Sequence, residues 1–506
     1  MTTVQSPSFL KSKKWLLWLA LVFLFGLGLA IRLYDLTDPP LDFHATRQLH
    51  AALMARGMYY ENRLDVPAWQ REMAVQQWKS EGLIEPPIMQ RLSALTYRLA
   101  GGEYLWIPRL YSIFFWMLGG AALFLLARRL AGDAGGLVGL AYYLFLPFGG
   151  IASRSFQPDP LMTALIVWCF WGMARWLEAR SWRFAVLAGL LTGLAVFAKA
   201  VAVFFVGLAW LSLILFGFGL RRALRDRQVW LIACLSVLPY LLFHIYGVFI
   251  SGQLQSQFSL RFFPQLWLDP VFYLQWKGMI ASTLIFEWFL VGLIAVFLIA
   301  NPSLRAGLLG AWAGYFLYGM ALPYHISTHN YYQLPAIPLV ALGLAVAADM
   351  AFRNIRARLW LAAPVIASVL LFAVLVSAWD VRVTLKREDW RGEPAFWAAL
   401  GQEIGRGTPA VGLVEDYGYR LAYWGWVAVQ PWKTSGDINL GALAGQEYDF
   451  ERTFKEQTDG KTYFIVTNMH ELESQPELEA KLLNNYPIVA QTGNYWIFDL
   501  RSPRKP

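Results

Sequence analysis

The chain has 506 residues, of which 57% are hydrophobic, 16% aromatic and 15% charged, with a formal net charge of +9 and a mean hydropathy of +0.42. Soluble globular proteins carry about 25% charged residues, so these values exclude a water-soluble enzyme and indicate a polytopic membrane protein. The basic excess falls in short Arg and Lys clusters between apolar runs, the loop bias of membrane proteins, which argues against a nucleic-acid partner.

Lys11, Lys13 and Lys14 precede the first apolar run, which ends at Arg32 with no small-residue cleavage site and reads as a retained signal anchor. About eleven segments reach, or nearly reach, the roughly 17–25 residues that cross a bilayer. They are Trp15–Ile31, Trp106–Ala127, Gly135–Ile151, Pro160–Leu177, Phe184–Ala198, Ala200–Gly219, Val229–Ile250, Met279–Ala300, Gly307–Leu322, Leu334–Ala348 and Leu359–Ala378. With the N-terminus cytoplasmic, every basic cluster falls on the inner side. These are Arg128/Arg129, Arg175/Arg180/Arg183, Arg221/Arg222/Arg225/Arg227, Arg305 and Arg353/Arg356/Arg358. The expectation is a multi-pass protein of the cytoplasmic membrane with an extracytoplasmic C-terminal tail. Cys169 and Cys234 lie inside apolar runs and imply no disulfide framework.

The outer side then receives the loop Tyr34–Leu105, Arg154, Asp159, Lys199, the loop Ser251–Gly278, His325, His329 and the tail. Transporters place ionisable groups near the bilayer midplane between broken helices. Here they gather at one interface, which favours an enzyme working at the outer surface. In the first loop, Asp42 follows a Pro-Pro-Leu sequence and reads as a base held over the membrane. Ala45–Tyr60 has helical composition, with His50, Leu53, Met54 and Met58 along one face, as in an interfacial helix. Glu85-Pro86-Pro87 opens a second surface helix, Ile88–Leu99, ended by Gly101-Gly102. The polar insert Glu61–Glu81 between them carries no decisive signal, and a merely structural cap is the alternative for the whole loop.

The parts in this order resemble the GT-C superfamily of integral-membrane glycosyltransferases, in the branch of the bacterial lipid A aminoarabinose transferases and protein O-mannosyltransferases. The resemblance rests on Asp42, Glu85-Pro86-Pro87, Arg109-Leu110, Gln157-Pro158-Asp159-Pro160 and Ala198-Lys199, and spans roughly residues 10–380. It implies a polyprenyl-phosphate sugar as donor, a lipid, glycan or protein as acceptor, and the first-loop Asp as catalytic base. Relatives often carry Lys directly before the Pro-Pro pair, where this chain has Glu85.

Such a transfer requires a base near the acceptor hydroxyl and cations for the departing phosphate. Asp42 is assigned as base in a single inverting displacement; a helix cap near Phe43 is its compatible alternative. Asp159 is the second carboxylate, orienting acceptor or capping the fourth span. Lys199, Arg47, Arg154 and Arg261 are the candidates for donor phosphate. His44, Glu85, Gln157, Glu287, His325, His329 and Tyr331 are candidate substrate contacts, with Tyr324–Gln333 as a sugar-binding rim and Glu287 as an intramembrane carboxylate. No metal set is assigned, although His44, His325 and His329 leave a divalent ion open. The alternative to a transferase is a transporter or flippase of lipid-linked sugars.

From Asp380 the apolar runs stop. Ala410–Val414 and Tyr463–Thr467 read as strands and Gln475–Asn485 as a helix. Ile488–Gln491 and Tyr495–Asp499 read as strands joined at Gly493-Asn494. The expected architecture is an α-helical polytopic GT-C domain over residues 1–379, with interfacial helices in its first outer loop. A small outer α/β domain over 380–506 is expected to cap the cavity or hold acceptor.

Overall fold

The computed structural model describes residues 14–252, 254, 261–354 and 359–504, apart from the side chains of 359–364. Lys11, Lys13, Arg356 and Arg358 of the charge analysis lie outside them. The chain forms two compact units, one of residues 1–36, 83–88 and 106–388, the other of residues 37–82, 89–105 and 389–506. The linear boundary expected at 379/380 falls inside the helix Leu359–Arg387, and the residues that cluster with the tail are those of the first loop.

The first unit is a helix bundle. Six of its helices are long and apolar enough to cross a membrane among the described residues, or seven with one bent pair counted as a span. Trp182–Ala198 and Ala202–Phe218 are apolar but shorter; at 17 residues the first of these reaches only about 25 Å. The stretch Trp106–Phe145 is helical at both ends but turns at Gly132 (φ 68°, ψ −175°). It folds back on itself there. Trp116 stacks on Tyr143 at 4.4 Å, the Tyr143 hydroxyl donates to the Trp116 carbonyl at 3.1 Å, and Arg128 pairs with Asp133 across the turn. The two sequence segments Trp106–Ala127 and Gly135–Ile151 are thus the arms of one hairpin.

Met279–Ala300 is not the single straight span expected. The helix begins earlier, as Pro270–Leu284, and the chain bends by 90° into Phe286–Leu298. Ile285 makes the bend at φ 61°, ψ 106°, a region costly for a β-branched residue. The Tyr142 hydroxyl donates to the freed Leu284 carbonyl at 2.7 Å. With neither Gly nor Pro at the bend, the sequence carries no local sign of it. His325 lies in a short helix, Pro323–Thr328, with His329 as its C-cap.

In the second unit, Ala45–Tyr60 forms as predicted, but not as a surface helix with one apolar face. Leu49 and all of Ala51–Tyr60 are buried. The reason is tertiary: the Gln77 amide donates to the Ala422 carbonyl at 3.2 Å, and Arg56 donates to the Tyr423 carbonyl at 2.5 Å, so tail residues cover the helix. The insert is a helix, Ala68–Ser80. Ile88–Ala100 leaves Leu95 and Leu99 exposed, as an amphipathic helix does.

Five strands form the sheet: β1 (Ala410–Leu413), β2 (Gln430–Pro431), β3 (Tyr463–Val466), β4 (Ile488–Gln491) and β5 (Trp496–Asp499), in the order β2-β1-β3-β5-β4. β1 pairs in parallel with β2 and β3, and β5 runs antiparallel to β3 and β4. Trp432, Phe454, Phe464 and Phe498 build one apolar layer, and Trp397, Leu421 and Ile465 belong to the other.

Within the bundle, helices approach through small residues, as membrane interfaces do. A Cβ on Gly343 would lie 2.0 Å from the Gly292 carbonyl oxygen, whereas one on Gly26 would meet nothing within 4 Å. Gly343→Val therefore forces two helices apart, and overpacking of this kind costs about 1–3 kcal/mol. The expected result is a lowered thermal unfolding midpoint of the detergent-solubilised protein, with Gly26→Ala unchanged.

Candidate functional site

Lys199 sits where the helix Trp182–Ala198 ends, in extended backbone (φ −159°, ψ 122°) before the helix Ala202–Ser212 begins. The break lets its side chain leave the bundle axis. Its Nζ donates to both oxygens of Asp159, each at 2.9 Å. Lys199 is 7% and Asp159 2% exposed, so the pair is buried. Asp159 is the first residue of the helix Asp159–Ala179, whose cap is Pro158. The first-turn position suits a carboxylate through the helix dipole, but its side chain serves Lys199 and not a cap. Glu85, directly before Pro86-Pro87, lies 3.9 Å from Nζ. The Lys199 ammonium also faces the rings of Tyr331 at 5.0 Å and Tyr332 at 5.9 Å.

The stretch Tyr324–Gln333 is consequently less of an open rim than expected. Tyr331 and Tyr332 are buried and wall the lysine. Gln333 accepts from the Tyr315 hydroxyl at 2.7 Å and donates to the Ile326 carbonyl at 3.2 Å. His325 and His329 stack at 5.5 Å, and His325 also stacks on Tyr332 at 5.5 Å. Burial, then the charges of His329, Arg261 and Lys199, push the His325 ring down to about 4, so it is neutral near pH 7. That coupling places Arg261 and Lys199 near one ring. No group of three or more His, Cys, Asp or Glu able to hold a metal occurs among the described residues.

Gln157, just before this helix, is 1% exposed, and neither atom of its amide has a hydrogen-bond partner among the described residues. Such orphans are rare in folded proteins. Arg154 is placed differently from expectation. It is 1% exposed and donates to the carbonyls of Tyr34 at 2.5 Å and Asp35 at 2.8 Å. Its guanidinium holds the chain leaving the first span, a backbone-fixing part that loop sidedness alone did not reveal. Glu287 falls in the first turn of Phe286–Ala295, just after the bend at Ile285, and its side chain is exposed on the protein surface. It does not line the apolar cavity.

That cavity, about 860 Å³, is bounded by the helices around Thr192–Val196, Val201–Ile214 and Val229–His244, and by Arg261, Phe262 and Leu322. Its wall is apolar except for a few groups, among them Tyr240, His244 and Arg261. Ala200 lines it directly beside Lys199. The charge of the bundle is segregated. Lys199 closes one end of the helix Trp182–Ala198, and Arg180, paired with Asp226, lies before its other end. Arg129 and Arg175 pair with Glu178 near that second end.

In the second unit, Asp42 lies two residues before the helix N-cap, which is His44 in left-handed backbone (φ 48°) with no side-chain cap bond. The cap alternative for Asp42 therefore falls. Gln48, buried, donates to the Phe43 carbonyl at 2.7 Å and reaches Asp42 Oδ1 at 3.5 Å. Asp38 anchors the same turn, accepting from the Trp390 backbone at 3.0 Å. Arg47 follows in the first turn of the helix. Glu81, which the sequence did not single out as chemistry, accepts from the Tyr419 hydroxyl at 2.8 Å and lies 3.4 Å from His50. Burial pushes the Glu81 carboxyl above its ordinary range, against the hydrogen bond from Tyr419. No local pattern marks Glu81, because its partners come from distant sequence.

The model of the family described as dolichyl-phosphate-mannose-protein mannosyltransferase matches residues 84–246. No curated protein sequence matches the chain. Among solved structures, ArnT from Cupriavidus metallidurans bound to undecaprenyl phosphate superposes with a TM-score of 0.57 at 16% identity, covering 94% of this chain and 97% of that one. The apo state of the same protein gives a TM-score of 0.56 at 16% identity with the same coverage. The archaeal oligosaccharyltransferase AglB from Archaeoglobus fulgidus, in complex with an inhibitory peptide and a dolichol-phosphate, gives 0.56 at 11% identity over 97% of this chain and 74% of that one. At these identities the superpositions establish the fold. By that fold and by the family match over residues 84–246, the chain resembles the GT-C superfamily of integral-membrane glycosyltransferases.

Proposed function

We propose that this protein moves one sugar from a polyprenyl-phosphate-linked donor to a lipid, glycan or protein acceptor on the outer face of the cytoplasmic membrane. The observation that carries the reading is the apolar cavity of about 860 Å³ with Arg261 in its wall and Lys199 beside it. A prenyl chain needs an apolar trough and its phosphate needs cations, and here both occur together. A bound protein called ArnT with undecaprenyl phosphate on the same fold supports it.

In this reading the acceptor oxygen attacks the anomeric carbon and the bond from that carbon to the phosphate oxygen breaks. The polyprenyl phosphate leaves with the bonding pair, and the acceptor proton passes to Asp42. One displacement inverts the centre. Lys199 and Arg261 stabilise the charge that develops on the departing phosphate. Asp159 acts through Lys199: its two bonds hold Nζ in place, so it is a positioning residue. Gln157, with its amide buried and unpartnered, and Glu85 are assigned to sugar hydroxyls, and His325, neutral and stacked, to the same ligand. Arg47 and His44, in the turn after Asp42, are assigned to the donor phosphate and the substrate.

Asp42→Asn should lower sugar transfer by the purified protein by about 10²–10⁴-fold, the range for a positioned base, with retention of polyprenyl phosphate unchanged. Transfer at the parental rate would remove the base assignment. The buried pair gives a second expectation. Lys199→Met leaves Asp159 charged and unpaired, which costs about 3–5 kcal/mol for buried pairs, read as a lower unfolding midpoint. Lys199→Met with Asp159→Leu should recover most of that stability but none of the polyprenyl-phosphate retention. Recovery of both would make the pair purely structural.

A further inference from the structure

At the end of the helix Trp182–Ala198 opposite to Lys199, a second cavity of about 920 Å³ is walled by Trp182, Gly219–Arg222 and Arg225–Gln228. Arg221, Arg222, Arg225 and Arg227 line it, against one carboxylate, Asp226. That carboxylate is committed elsewhere. One oxygen accepts from the Gln228 backbone at 2.8 Å, capping the helix Arg227–Ile245, and the other pairs with Arg180. The four arginines are exposed, and among the described residues none of them is ion-paired with a carboxylate. Arg222 lies over the Phe218 ring at 4.6 Å. Four like charges held around one hollow repel each other, and an anion in it would relieve that.

The surroundings say which anion. The short helix Leu220–Arg225 joins two apolar helices, Ala202–Phe218 and Arg227–Ile250, so it lies at the edge of the apolar slab. Leu220 and Leu224, four apart, share one side of that turn. Both are at least half exposed, as are Trp182 and Trp230. The Trp230 indole donates to the Leu224 carbonyl at 3.0 Å, which fixes the ring beside the turn. Arginines facing a hollow with Leu220 and Trp182 in its wall, and with Leu224 and Trp230 exposed on the same turn, match a phosphate head joined to acyl chains; basic pockets between membrane helices bind such heads. Inorganic phosphate would use the arginines and leave the apolar rim without purpose. We propose that this cavity binds the phosphate headgroup of an anionic glycerophospholipid, with its acyl chains along Leu220, Leu224 and Trp230. The site is distinct from the lipid-phosphate trough at Arg261.

The test is native mass spectrometry of the full-length protein in detergent, titrated separately with dioleoyl phosphatidylglycerol, dioleoyl phosphatidylcholine and inorganic phosphate. The expected result is retention of phosphatidylglycerol over phosphatidylcholine by at least about tenfold. Arg221→Gln/Arg222→Gln/Arg225→Gln should abolish that preference, and the same three positions as Lys should keep it. Equal retention of the two lipids by the parental protein overturns the proposal, and so does a Gln variant that keeps the preference. Displacement of the lipid by millimolar inorganic phosphate, with phosphate itself retained, assigns the cavity to free phosphate and overturns the lipid assignment. Should the Gln variant not fold, the parental comparison decides.

Discussion

A lysine inside an apolar bundle costs about 2.5–3.5 kcal/mol on insertion scales, and Lys199 offsets that cost through a bidentate contact with Asp159 at 2.9 Å. Each partner depends on the other, because neither charge is tolerable alone in a buried site. The geometry needs three local features at once: a helix that ends at Ala198, a helix that starts at Asp159, and an aromatic wall from Tyr331 and Tyr332. Glu85 adds a second carboxylate 3.9 Å from the lysine. The lysine is thus held by acids, while Arg261 and His325 stand near enough to feel its charge or each other's. A phosphate arriving here would meet cations already oriented, and orientation prepared in advance is what makes electrostatic stabilisation effective.

Buried arginines do a different task. Arg32 donates to Ser153 Oγ at 2.7 Å and to the Gly28 carbonyl at 2.9 Å. Arg109 reaches the Leu36 carbonyl at 3.1 Å, and Arg154 takes those of Tyr34 and Asp35. Together they satisfy carbonyls where the first span ends, groups that water cannot serve once buried. The backbone of Tyr34–Leu36 is thus held by side-chain donors of its own unit. In the other unit, Asp38 and Gln48 bracket the Asp42 turn, and Arg56 holds Glu103 with contacts of 2.9 and 3.0 Å while lying over Tyr423 at 3.7 Å. The first loop and the tail share one core, so the tail is a structural partner of the loop that carries Asp42.

Local chemistry was the legible part. The helix Ala45–Tyr60, the strands at 410, 463, 488 and 496, and the helix after Gln475 were readable because Pro, Gly and the spacing of apolar residues act within a few positions. The apolar runs were readable as helices for the same reason. Their number as crossings was not: Ile285 bends the chain by 90° without Gly or Pro, and β2 is two residues long, too short for any pattern. Among site residues, Asp159, Lys199 and Glu85 were each singled out from their positions, but not as partners of one another.

By itself, the sequence determined that this is a membrane protein and which charged residues lie inside or beside its apolar runs. Those properties follow from solvation, which acts on each residue separately. Tertiary structure alone decided that Lys199 meets Asp159 across 40 positions, that Arg154 serves backbone and that Ala45–Tyr60 is a core helix. Contacts between distant segments depend on how whole helices pack, and no window of neighbouring residues contains that information.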